Sequence, residues 1–103
     1  MRLSKKTIEM LRATGKKHQF FMHGKRFFIR TQGGEFASLI CPVCAIANDK
    51  LDKLDWFSAA HEACAAADLN ISANEIDQII MAADDPHHPY RRYLMKHLGM
   101  TND

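Results

Sequence analysis

From Ala45 to Asp85 the chain contains neither glycine nor proline. With both backbone breakers absent, such a segment is expected to be helical and to be divided by capping residues. Ile46, Ala47, Leu51 and Leu54 recur at helical spacing. Asp55 is placed to cap a helix over 56–68, with Trp56, Phe57, Ala60, Cys64 and Ala67 on one stripe and Asn70 as its C′ residue. Ser72 and Glu75 form an S-x-x-E capping box, flanked by Ile71 and Ile76 as a staple. That box predicts a helix to about residue 83, with Ile76, Ile79, Ile80 and Ala83 inward. Pro89 at the first helical position and Gly99 past the last predict one more short helix.

The N-terminal third reads differently. Ser4 can cap a helix over 5–14, with Leu3 and Ile8 as a staple and Gly15 as its stop. Residues 18–30 carry Phe20, Phe21, Met22, Phe27, Phe28 and Ile29 around His23-Gly24, a pattern for a hairpin with a two-residue turn. A turn at His23-Gly24 sets Phe20 opposite Phe27. Phe20, Met22, Phe27 and Ile29 then share one face, while Phe21, Phe28, Arg26 and Arg30 share the other. Gly33-Gly34 predicts a second turn, and Phe36 to Ile40 a third strand.

The 103 residues and 47% apolar content fit one domain able to bury roughly two-thirds of its unfolded surface. The expected fold is α+β: an N-terminal helix and basic β-hairpin, extending to three short antiparallel strands, beside four or five short helices. Residues 1–40 make the helix-and-hairpin part and 41–103 the cysteine-containing helical part. No apolar run reaches the ~20 residues of a membrane span. The N-terminus lacks the apolar core of a secretory signal, which predicts a cytoplasmic protein with reduced thiols.

Charge is segregated along the chain. Residues 1–34 hold nine Lys/Arg against one acid, 35–85 hold two against ten, and 86–103 hold three against one, for a net +2. Such asymmetry either cancels within the fold or offers a basic surface to an anionic partner.

Cys41-Pro42-Val43-Cys44, His61 and Cys64 together read C-x2-C-x16-H-x2-C. Two sulfurs across a tight turn, with a nitrogen and a sulfur from one helix face, would make a closed tetrahedral Cys3His zinc site. The pattern resembles the zinc knuckles of treble-clef and related finger domains. It departs from them in Ala45, where a glycine is usual, and in placing His61 and Cys64 a turn inside their helix. Such a site would be structural and worth on the order of 10 kcal/mol of folding free energy. His23, His87 and His88 are reserve ligands. The alternative is that the cysteines are small buried hydrophobes. A thioredoxin-like reading of Cys41-Pro42-Val43-Cys44 would want a βαβ context, which the pattern lacks.

Two surfaces could meet nucleic acid. Lys25, Arg26, Phe28 and Arg30, with Lys16 and Lys17, mix cations and aromatics as single-strand stacking platforms do. Residues 63–80 resemble the corner of helix-turn-helix DNA-binding domains, over about 20 residues. The second helix of that corner exposes Asn74, Glu75, Asp77 and Gln78, and acids there would be repelled by phosphates. A protein partner for the acidic helices (Asp49, Asp52, Asp55, Glu75, Asp77, Asp84, Asp85) is the reading favoured at this level. It suits an accessory or inhibitory protein of the sort phages and prophages encode. The sequence has no Gly-rich phosphate loop, G-x-S-x-G or H-E-x-x-H, so a non-catalytic binding domain is expected.

Overall fold

Ser4 opens the first helix, α1 (Lys5–Lys17), by accepting a hydrogen bond from the Thr7 N–H at 3.2 Å. Leu3 is buried and Ile8 packs against the same core, as a staple pair should. The helix does not stop at Gly15. It runs two residues further, until His18 turns extended and gives its N–H to the Thr14 carbonyl. Gly15 has a different task. A Cβ built there would lie 2.4 Å from the Leu98 carbonyl oxygen, so its missing side chain lets the C-terminal segment touch α1.

The computed structural model describes residues 2–30, 37–52 and 59–100, with only the backbone at 37–39. The expectations for Gly33, Gly34, Phe36, Leu54, Asp55, Trp56 and Phe57 lie outside the described residues.

Strands β1 (Phe20–His23) and β2 (Arg26–Arg30) form the hairpin. Its turn is Gly24-Lys25, with φ of +58° and +68°, the positive pair that a type I′ turn needs. His23 therefore pairs with Arg26, Phe21 with Phe28 and Phe20 with Ile29. This corrects the register expected from a His23-Gly24 turn. The correction moves each partner by two residues and so preserves parity, and the faces stay as the sequence assigns them. Phe20, Phe27 and Ile29 are buried, whereas Phe21 and Phe28 are half-exposed. β3 (Ala37–Leu39) runs antiparallel along the other side of β2, with Phe28 opposite Leu39.

Helix α2 (Pro42–Leu51) begins at Pro42, and every residue from Pro42 to Asn48 is buried. A helix buried on every side over its first two turns belongs in the middle of a fold. α2 accordingly contacts α1, α3 (Ala60–Ala67) and α4 (Ala73–Asp84). The small residues Ala45, Ala47, Ala63 and Ala67 face these contacts without wasted volume. The expected tight turn at Cys41–Cys44 is thus corrected to the first turn of a helix. Pro42 at N1 has its φ preset for helix and lacks only an N–H that would have no partner there. α3 starts at Ala60 after an extended Ala59, later than the sequence implies, and the left-handed residues closing it are Asp68 and Asn70.

At the start of α4 the Ser72 hydroxyl accepts from the Glu75 N–H, the first half of the capping box. The second half goes elsewhere. Glu75 turns its carboxylate to the N-terminus of α1, accepting from the Ser4 N–H at 2.6 Å and the Thr7 hydroxyl at 3.3 Å. One acidic side chain thus satisfies a free donor of another helix and joins two elements far apart in sequence. On the opposite side, Asp49 of α2 accepts from Thr14 and contacts His18, both at 2.6 Å.

Helix α5 (Arg91–His97) starts two residues after Pro89, since Tyr90, not His88, takes the N-cap place. It ends in a Schellman motif: Gly99 at φ +73°, its N–H on Lys96 O, and the Met100 N–H on Met95 O. Five helices are seen among the described residues, and none is long and apolar enough to cross a membrane.

His97 of α5 is only 9% exposed. Its Nδ1 accepts a hydrogen bond from Arg12 Nε at 3.3 Å, and Tyr93 meets its ring edge-on. Burial, then the charges of Arg12 and Lys96, hold its pKa below the usual histidine value. The unfolded chain, with an ordinary histidine at about 6.5, then binds the proton first. The stability carried by neutral His97 is complete above that pH and lost as pH falls through the lowered folded value. Urea midpoints measured from pH 7 to pH 5 should drop more in the native chain than in His97→Gln.

Candidate functional site: the dithiol cleft and the hairpin face

Where the sheet meets the helices a cleft of about 810 Å³ opens. Among the described residues its walls include Arg26 and Phe27 of β2, Cys41, Cys44, His61 of α3 and Asp84 of α4. Cys41 is partly buried on this wall, and Cys44, at 2% exposure, also lines it.

The local chain explains the pairing of the sulfurs. Cys41 is the N-cap of α2 and Cys44 stands at N3. An N-cap side chain reaches naturally toward N3, as serine does in an ordinary cap. Here the Cys44 thiol gives its hydrogen bond to the Cys41 sulfur, which pulls the Cys41 pKa down. The N–H groups of Val43 and Cys44 add to this from nearby, without making a full capping bond, while burial and Asp84 oppose it. The same hydrogen bond and burial drive Cys44 strongly upward. The pair therefore divides its roles: Cys41 yields its proton before Cys44 does.

The other two residues of the C-x2-C-x16-H-x2-C pattern are engaged differently. His61 shares the cleft, but its Nε2 meets Asp77 Oδ1 at 2.7 Å on the exposed α3–α4 surface. Cys64 is buried with its Sγ 3.9 Å from the Ile71 carbonyl, in the angle between α3 and α4. No group of three or more His, Cys, Asp or Glu side chains is set to hold a metal ion among the described residues. Cys41 and Cys44 could supply two ligands. For a zinc ion to gather all four, His61 would have to leave Asp77 and Cys64 would have to turn from Ile71.

The reserve histidines have local partners. His88 Nδ1 accepts from the Tyr90 N–H, His87 gives its backbone N–H to Asp85, and His23 packs edge-on against Phe28.

Compared with known proteins, the chain matches no family model, no curated protein and no solved structure. What it does must be argued from its own surfaces.

The second surface is the outer face of the hairpin. Phe21 and Phe28 lie opposite one another in register, their ring centroids 5.9 Å apart and their planes 26° apart. The Arg30 guanidinium sits 5.0 Å from the Phe21 centroid. His23, Lys25, Arg26 and Arg30 are all exposed around these rings. Lys16 and Lys17 are exposed at the end of α1, and Lys17 contacts Asp49 at 3.4 Å. Arg26 alternates onto the outer face and also reaches the rim of the cleft, so the two surfaces adjoin. Sequence spacing does not point to Asp84 in the cleft or to Glu75 at the cap of α1. Both belong to a helix whose tertiary neighbours have no local signature.

Proposed function

We propose that the chain is a small non-catalytic binding domain whose partner is single-stranded nucleic acid, received on the outer face of the hairpin. The observation that carries this reading is the Phe21–Phe28 pair, half-exposed and ringed by His23, Lys25, Arg26 and Arg30. Aromatic rings accept any base by stacking, and neighbouring cations neutralise the phosphates between successive bases. Duplex binding through the α3–α4 corner is the weaker idea. Asn74, Asp77 and Met81 are exposed along α4, and acids in a groove repel DNA. The reading sits most naturally with a cytoplasmic protein.

Fluorescence anisotropy with a labelled oligo(dT) of about 12 nucleotides tests it. Binding should weaken with salt with a log–log slope of about −2, as for three phosphates on a single strand. Phe28→Ala should weaken it about tenfold or more, the worth of one lost stack. Lys25→Glu/Arg26→Glu should remove it. No binding at low salt, or binding indifferent to Phe28, would end this proposal.

A protein partner is the second reading, and Met81 favours it. It is 51% exposed on α4, with Asp77, Asp84 and Asp85 on the same element or just beyond it. An apolar anchor among acids suits a basic amphipathic segment of an accessory or inhibited protein.

A further inference from the structure

Beyond that reading, we propose that Cys41 and Cys44 form a thiol–disulfide exchange site, reacting with small disulfides of the glutathione class that enter the cleft. The two cysteines stand at the N-cap and third helical position of α2 and both line the cleft, Cys41 partly exposed and Cys44 buried. That is the arrangement a two-step exchange requires: an attacking sulfur in reach of solvent and a resolving sulfur behind it. Arg26 on the cleft wall offers a cation to the carboxylates of such a ligand. Cys64 does not line the cleft; it is buried with its sulfur on a backbone carbonyl.

In the first step the Cys41 thiolate attacks one sulfur of the incoming disulfide. A mixed disulfide forms, the old S–S bond breaks, and one small thiolate leaves with its electron pair. In the second step Cys44 loses its proton to solvent and attacks the Cys41 sulfur, expelling the second small thiolate. The protein dithiol is oxidised to a Cys41–Cys44 disulfide, and the small disulfide is reduced to two thiols. The reverse exchange with reduced glutathione restores the pair.

Intact-mass spectrometry of the full chain in glutathione buffers tests the proposal. As the buffer is made more oxidising, the native protein should lose the mass of two hydrogen atoms, and peptide mapping should join Cys41 to Cys44. Cys44→Ser should instead stop at the mixed disulfide, with the glutathionyl group on Cys41 forming about tenfold faster than on Cys64. Cys64→Ser should oxidise as the native chain does. Should a variant fail to fold, alkylation of the native chain decides the matter: Cys41 should be labelled well before Cys44 and Cys64. The proposal is overturned if the native chain stays reduced in every buffer. It is overturned if Cys64 reacts first, or if exchange begins only in urea. It is equally overturned if the purified, untagged protein carries one equivalent of zinc that blocks exchange until a chelator removes it. None of these results depends on whether the hairpin binds nucleic acid.

Discussion

Gly15→Ala is expected to destabilise the domain by about 3 kcal/mol, although alanine is the better helix former. At an exposed position inside a helix the same change would stabilise by roughly 0.5–1 kcal/mol, because glycine loses more backbone freedom on folding. Here the added methyl would lie 2.4 Å from the Leu98 oxygen and 2.8 Å from its carbonyl carbon. Those are backbone atoms at the end of α5, so no side chain can swing aside. Relief requires α5 to shift as a body, loosening the Arg12–His97 hydrogen bond and the buried Leu94 and Leu98. For a domain of this size the loss corresponds to a fall in Tm of about 15 °C. Urea unfolding followed by circular dichroism measures it. A variant as stable as the native chain would mean that α1 and α5 do not meet as described.

Arg91→Ala should cost a similar amount, again about 3 kcal/mol, by another mechanism. Arg91 is 5% exposed, unusual for a guanidinium. Nη1 donates to the Ala83 carbonyl at 3.0 Å and the Ala82 carbonyl at 3.4 Å, capping the last turn of α4. Nη2 donates to the Lys25 carbonyl at the hairpin turn and lies 3.1 Å from Met22 Sδ. The guanidinium carbon also stands 4.9 Å from the Phe27 ring centroid. One side chain thereby fastens the hairpin to two helices, and truncating it leaves carbonyls without partners and a cavity under Phe27. Arg91→Lys should recover less than half of the loss, because one ammonium cannot span acceptors arranged for a fork. If Arg91→Lys proves as stable as the native chain, the fork geometry is not what holds the hairpin.

The contrast between these two positions shows what the sequence could disclose. Caps and periodicity are local, so Ser4, Ser72, the Ile76–Ile79–Ala83 stripe and the Gly99 stop could be placed by inspection. The hairpin faces were equally legible, because parity survives an error in the turn. Gly15 misled because a glycine near a helix end reads as a stop when the true reason lies 83 residues away in Leu98. Arg91 gave no signal, since a long basic side chain normally belongs to the surface. At the candidate site, spacing sets Cys41 near Cys44, and both line the cleft. Cys-x-x-Cys spacing suits a turn and a first helical turn alike, and Pro42 at N1 decides for the helix. Only tertiary packing brings Arg26, His61 and Asp84 to the same cleft, and no period in the sequence records that.

Amide chemical-shift mapping of the isotopically labelled chain with an unlabelled single-stranded oligonucleotide tests the nucleic-acid reading most directly. Dose-dependent shifts should concentrate on Phe21, His23, Lys25, Arg26, Phe28 and Arg30 and fade as salt is raised. Shifts centred on Asp77 and Met81 of α4, or none anywhere at low salt, would contradict it.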